Sequence, residues 1–197
     1  MKMLALELSS AIGSVASVDD QGQRQFRSFP ADRKDSGIFY ESLQAIYDPD
    51  APPDLIVVGL GPGSYSGVRI AIATAVGLRS ATGARLHGLP SISAVDRAEY
   101  FFVSDARRNS FAFAHVAEGR CLEGPLLCDE AQIRERLAEA KDRPIISTQP
   151  LPQFERITVE HPSALCLLEL ARRGDGTAEE TLEPIYLRAP YFTSSSK

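Results

Sequence analysis

Residues 55–81 read LIVVGLGPGSYSGVRIAIATAVGLRSA, and this stretch decides the fold class. Leu55 to Leu60 is an unbroken apolar run, the pattern of a strand buried on both faces. It ends at Gly61-Pro62-Gly63-Ser64-Tyr65-Ser66-Gly67, and a helix is expected from about Ser66 to Ala81. A buried strand that hands over to a helix through glycines is a building unit of α/β sheets. Ligands often sit at such handovers, and helix N-termini favour anions. Three enzymatic motifs therefore have to be tested against the letters.

A phosphate-binding P-loop needs lysine directly after its last glycine, whereas Val68 follows Gly67. The dinucleotide fingerprint needs a third glycine at position 66, which is Ser66. A nucleophile elbow needs serine at the centre of Gly63–Gly67, where Tyr65 stands. Ser64 or Ser66 would still require a base, and His87, His115 and His161 are scattered with no motif around them. The structural reading is that Gly61, Pro62, Gly63 and Gly67 permit a sharp turn and close helix–strand packing, with a partner-contact role. A ligand-cradling loop is the alternative.

The helix beyond the turn carries only Arg69 and Arg79 as charged residues; Val68, Ile70, Ile72, Val76 and Leu78 sit among Gly, Ala, Ser and Thr. A surface helix normally opposes its apolar stripe with a polar face, and none is legible here. Either the helix is enclosed by its own domain, or one side packs on the sheet and the other meets another polypeptide.

Working outward, Met3 to Leu8, Gly13 to Val18 and Arg24 to Phe29 read as a three-strand meander. Ile38, Phe39, Leu43 and Ile46 then read as an amphipathic helix of about four turns, stopped before Pro49. The order is βββαβα, with a short strand near Leu86 after it. The pattern restarts near residue 98. Tyr100 to Ser104, Phe111 to Val116 and Arg120 to Leu127 read as strands, followed by a helix capped by Asp129 and Gln132 with Ile133, Leu137 and Ala140 as its stripe. Pro144 to Ser147 is a short strand, Pro162 to Arg173 a helix closed by Gly174, and the tail from Thr193 is expected to be disordered. Two duplicated α/β lobes, 1–98 and 99–197, follow, with the second degenerate.

Composition narrows the function classes. The 197 residues are 44% hydrophobic and 24% charged, as in ordinary globular proteins. A net charge of −5 argues against a free-standing nucleic-acid binder, which needs a basic face. Cys121, Cys128 and Cys166 lack CxxC spacing, so reduced, partly buried thiols are expected, with a structural zinc site as the alternative. No long hydrophobic region and no small-residue cleavage site is seen, so neither membrane span nor signal peptide is expected and the location is taken as cytoplasmic.

The motif Gly61-Pro62-Gly63-Ser64-Tyr65-Ser66-Gly67-Val68-Arg69 resembles the GPGSFTGVR segment of the bacterial TsaB (YeaZ) family. Leu4 to Ser9 is similar to that family's "LAIDTS" strand and Gly13-Ser14-Val15-Ala16 to its "CSVAL". Asp105-Ala106-Arg107 resembles "DAR", and Pro184-Ile185-Tyr186-Leu187-Arg188 resembles "PVYLR". These matches occur in family order and span nearly the whole chain. Three positions depart: Glu7 replaces the opening aspartate, Asp35 or Ser36 stands where a histidine is usual, and Ser147-Thr148-Gln149 replaces a glycine-rich stretch.

The resemblance implies an actin/Hsp70/sugar-kinase type of fold. It implies a scaffold or activator that pairs with a larger catalytic TsaD-type relative and a TsaE-type ATPase in making threonylcarbamoyladenosine next to the tRNA anticodon. Expected partner-facing residues are Ile38, Phe39, Leu43, Val68, Arg69, Ile72 and Val76, and the same helices could form a homodimer. Contact with tRNA is expected only through the partners. No catalytic residue, cofactor or metal site is expected: the nucleotide-loop glycines of the kinase versions are missing, and there is no HxxxH or HExxH. Asp105 and Arg107 are expected to form a structural ion pair or inter-lobe contact. The competing class is a degenerate kinase or hydrolase that binds a phosphorylated ligand at Gly61–Gly67.

Overall fold

A computed structural model describes residues 1–31, 37–174 and 182–187. Two five-stranded sheets are built in the same way. The first contains β1 (Met3–Glu7), β2 (Ile12–Val18), β3 (Arg24–Pro30), β4 (Leu55–Gly59) and β5 (Arg85–Leu89), in the order β3-β2-β1-β4-β5. The second contains β6 (Glu99–Asp105), β7 (Phe111–Ala117), β8 (Arg120–Cys128), β9 (Ile145–Ser147) and β10 (Ile157–Val159), in the order β8-β7-β6-β9-β10. Each opens with an antiparallel three-strand meander and adds two parallel strands beside its first strand. The duplication expected from the sequence is therefore present in the two sheets, as a two-lobed α/β fold.

Helices α1 (Gly37–Gln44) and α2 (Tyr65–Thr82) cover one face of the first sheet. Leu4, Leu6, Val15, Ile56 and Val58 point into that layer and are at most 1% exposed. Alternation along β1 sends Met3 and Ala5 to the opposite face. Among the described residues helix α1 spans 8 residues, where about four turns were expected. Its ladder ends in tightened turns, with Ile46 N and Tyr47 N both donating to the Leu43 carbonyl, and the Asp48 carboxylate then accepts from Asp50 N.

The second lobe departs from the expected repeat. Helix α3 (Glu130–Ala138) starts with the anticipated capping box, Gln132 N donating to Asp129 Oδ1 at 2.8 Å and Asp129 N to Gln132 Oε1 at 2.9 Å. No helix joins β9 to β10, however. Pro150 and Pro152 suit an irregular segment better than a helix, and Leu151 and Phe154 drop into the core beside α3 instead. Strand β10 is a short element that the sequence reading passed over.

Helix α4 (Ala164–Arg173) does not pack on its own lobe's sheet. Ala164, Leu167, Leu168 and Leu170 bury their stripe against Met3, Ala5, Ala16, Val18, Leu55 and Val57 of the first sheet. Its first turn is tied there as well, Ala164 N donating to the Ser14 hydroxyl at 2.9 Å. Leu182 likewise joins the core of the first lobe. The expected boundary at 98/99 lies just before β6, and after β10 both α4 and Leu182 pack against first-lobe residues. A 3-10 turn, Ser91–Ser93, links the lobes and presents Ile92 to the second sheet.

Among the described residues no helix is long and apolar enough to cross a membrane. Cys121, Cys128 and Cys166 are free thiols, half-buried, buried and half-buried respectively. Asp35, Ser36, Arg188 and the tail from Thr193 lie outside the described residues.

Because α4 is covalently late but packs early, the first lobe is not an independent unit. Leu167→Ala should remove about 2–5 kcal/mol of stability, measured by urea unfolding. The whole transition should move together. A first-lobe transition left unchanged by the substitution would show that the two lobes unfold separately.

Candidate functional site: the glycine turn and the open face of helix α2

The turn after β4 is joined to its neighbours by backbone contact. Gly61 has φ +86°, a left-handed conformation that a side chain disfavours. Its N–H donates to the Ser91 hydroxyl at 2.9 Å, and its carbonyl accepts from Ser91 N at 2.8 Å. A Cβ at Gly63 would lie 2.1 Å from the Ser9 carbonyl oxygen, and one at Gly67 would lie 2.0 Å from that of Leu8. Ser64 N donates to the Ser9 carbonyl at 2.7 Å, and the Ser64 hydroxyl caps α2 by accepting from Gly67 N at 3.3 Å. The N–H groups of Gly61, Ser64 and Gly67 are thus committed to protein acceptors. That arrangement is a joint between β1 and α2, and it leaves those amides unavailable to an anion.

The joint orients α2 with one side on the sheet and one side open. Val68, Ala71 and Ala75 are buried, Ile70, Ile72 and Leu78 are half-buried against the same core, and Arg69, Ala73, Val76, Gly77 and Ser80 are exposed. Val76 is 45% exposed, and nothing lies within 4 Å of a Cβ built on Gly77. Among the described residues, none encloses this side of the helix.

The expected partner-facing residues divide accordingly. Arg69 and Val76 lie on the surface, and Ile38 and Ile72 lie at its margin. Phe39, Leu43 and Val68 are only 2%, 7% and 3% exposed, and they fill the layer between helices and sheet. In the isolated chain these three belong to the core-facing stripe, and core and interface stripes have the same period. Exposed aromatics were missed instead. Tyr65 is 52% exposed and Tyr40 50%, and Tyr186 stacks on Tyr65 with ring centres 5.4 Å apart. The Arg69 guanidinium lies 5.1 Å above the Tyr65 ring and donates to the Tyr65 hydroxyl. Tyrosine and arginine are the residues that dominate docking surfaces, which was the available signal.

Between the lobes lies a cleft of about 580 Å³ whose lining includes Ser9, Ser10, Ser64, Ser104, Asp105 and Arg107. Asp105 accepts from the backbone N–H of Arg107 at 2.6 Å, so its carboxylate shapes the β6–β7 hairpin. Ser10 donates its only proton to the Ile12 carbonyl at 2.8 Å, so it accepts from His161 Nδ1 at 3.1 Å. That contact joins segments 151 residues apart. It also fixes the imidazole tautomer.

Beneath the cleft, Glu7 is 0% exposed. Its Oε1 accepts from Ser9 N at 2.7 Å, and its Oε2 has no hydrogen-bond partner. A Cβ at Gly59 would lie 1.8 Å from Oε2, so glycine there makes room for the longer acid. Burial pushes the Glu7 carboxyl above its ordinary range, and the hydrogen bond from Ser9 offsets this only in part.

The sequence of residues 50–120 matches the family model "TsaD: tRNA N6-adenosine threonylcarbamoyltransferase". YeaZ from Pseudomonas aeruginosa superposes with a TM-score of 0.72 at 22% identity, covering 94% of this chain and 100% of that chain. A second P. aeruginosa structure, described as an uncharacterized protein with similarity to peptidase YEAZ, gives 0.73 at 23% identity, covering 95% and 99%. The chain has the YeaZ fold. That shared fold extends over nearly the whole of this chain. An uncharacterized protein of Mycobacterium leprae is 36% identical over 75 residues, covering 36% of this chain and 21% of that protein. One of Mycobacterium tuberculosis is 28% identical over 144 residues, covering 70% and 65%. The chain therefore spans less than two thirds of the length of these mycobacterial relatives.

Glu7 gives a pH signature. Below its ordinary value of 4.5 both folded and unfolded chains carry the proton, and its contribution to folding is at its best. Above that value the unfolded chain releases the proton first, so stability falls until the buried carboxyl ionises too. Glu7→Gln should remove this loss. The stability difference between variant and wild type should shift in the variant's favour as pH rises above 4.5, by no more than about 1.4 kcal/mol per pH unit. A difference independent of pH would show that Glu7 ionises as it does in water.

Proposed function

We propose that this chain is a non-catalytic subunit that docks, through the open face of α2, onto a larger TsaD-type relative. That relative would carry out threonylcarbamoyl transfer next to the tRNA anticodon, with a TsaE-type ATPase joining the pair and tRNA held by the partners. The observation that carries the reading is the open side of α2. An 18-residue helix is about 27 Å long. This one places Val76, Ala73 and Gly77 in water and carries no acidic residue. Small residues allow a second helix to approach closely, and the exposed Ala73, Val76 and Gly77 between Arg69 and Ser80 suit a partner contact better than open water. Commitment of the turn amides to Ser9, Ser64 and Ser91 supports a structural role for Gly61–Gly67.

A second reading keeps a phosphorylated ligand at the Gly61–Gly67 turn, whose Gly63 and Ser64 line the inter-lobe cleft beside other serine hydroxyls and Arg107. It differs from the first in needing no partner. Calorimetry with ATP and magnesium separates them: micromolar binding by the isolated chain supports the cleft reading.

Val76→Glu places a charge in the middle of the open face without touching the core. It should abolish co-purification with the TsaD-type relative while the thermal midpoint of the isolated chain stays unchanged. Ile72→Glu should do the same, with some loss of stability because Ile72 is half-buried. Pairing that survives Val76→Glu would remove α2 as the docking element.

A further inference from the structure

The chain returns to the first lobe a second time after α4, and this return ends at the start of the open face. Residues 182–187 form an extended strap without regular secondary structure. Leu182 is 9% exposed and belongs to the core formed with Leu60. Ile185 N donates to the Leu60 carbonyl at 2.8 Å. Gly88 has no side chain to fill this space: a Cβ there would lie 2.5 Å from Leu60 Cδ1 and 3.1 Å from Leu182 Cδ2. The strap is therefore anchored by burial at one end and by a backbone hydrogen bond in the middle.

The next residue after that bond is Tyr186. It remains 44% exposed although stacked on Tyr65, which is itself 52% exposed. Arg69 closes the row over the other ring. Two half-wet aromatic rings and a guanidinium make a poor core, since much of their surface stays in water. They make a good contact surface, because large side chains already held in place lose little freedom on binding. The charge pattern says what they meet. From Tyr65 to Thr82 the helix carries Arg69 and Arg79 and no acid, within a chain whose net charge is −5.

We infer that the strap is a working part of the docking face. It holds Tyr186 against Tyr65 as a preorganised aromatic shelf, and the shelf takes a partner surface that is apolar with a carboxylate set against Arg69. This rests on the proposed pairing with the TsaD-type relative and adds which residues recognise it and by what chemistry. A second copy of this chain is a weaker fit, since two shelves meeting face to face would bring Arg69 towards Arg69. Aromatic and arginine anchors of this kind carry a large share of the affinity at protein interfaces. A guanidinium at the rim acts mainly on association rate and salt dependence.

The test is titration calorimetry of the full chain with the purified TsaD-type relative, using wild type, Tyr186→Phe, Tyr186→Ala and Arg69→Gln, each repeated over a salt series. Tyr186→Phe keeps the stacked ring and should bind within about twofold of wild type. Tyr186→Ala should bind about tenfold more weakly or worse, with the thermal midpoint of the isolated chain unchanged. Arg69→Gln should bind more weakly at low salt and flatten the salt dependence. If wild type pairs and Tyr186→Ala pairs equally tightly, the strap plays no part and the inference is overturned while docking through α2 stands. If wild type does not pair at all, both fall. If Tyr186→Ala loses only self-association and keeps its partner, the shelf belongs to a second copy and the assignment is wrong.

Discussion

Two backbone segments lie closer at the centre of the first lobe than any side chain would allow. The carbonyls of Leu8 and Ser9, at the end of β1, come within about a bond length and a half of where Cβ atoms would stand on Gly63 and Gly67. Glycine is the residue that tolerates such an approach. The consequence is a rigid seam in which Ser64 N reaches Ser9 and the Ser64 hydroxyl caps the following helix. The direction of α2 is set at that seam. So is the division of its residues between core and surface, because rotating the helix by a quarter turn would break the cap and expose Ala71 and Ala75. The wall of the inter-lobe cleft formed by Ser9, Gly63 and Ser64 is built from the same contact.

The rest of the chain supports the seam from both sides of the sheet. On the helix side, the strap adds Leu182 beside Leu60, one residue before the turn. On the other side, α4 lays four buried residues across β1, β2 and β4. Both supports come from the last quarter of the chain. The second lobe is thus enclosed between two stretches of first-lobe structure, and Ser91–Ser93 and Ser163 carry the crossings, with Ser163 N donating to the Ala94 carbonyl at 2.8 Å. A lobe built in this way cannot detach without unpicking the sheet that presents α2.

Among the described residues, five of the nine buried polar or charged side chains gather near the same place. Glu7, Ser9, Ser10, Ser14 and Ser91 are all buried within the first lobe, near the point where the two lobes meet. Most have partners; the second oxygen of Glu7 does not. A buried carboxyl with one empty oxygen is stable chiefly in its neutral form, since burial disfavours the charge. The Glu7 carboxyl is accommodated because position 59 has no side chain.

Much of the architecture is set by local chemistry and was legible without coordinates. The apolar run at 55–60, the glycines after it, the Asp129–Gln132 capping box and the restart of strand patterning near residue 98 each depend on residues close in sequence. Those features decide strands, helices and the duplicated sheet. What the letters could not decide was which surface each apolar stripe would meet. Phe39, Leu43 and Val68 have the same periodicity as an interface stripe, and only the position of the first sheet shows that they face inward. The stripe of α4 reads as an ordinary core-facing helix, but its partner is a sheet more than a hundred residues earlier. Tyr65 and Tyr186 are far apart in the chain, and their stacking follows from where the strap is anchored. Helical and strand periods report that a face must be covered, whereas its cover is chosen by long-range packing that no local pattern records.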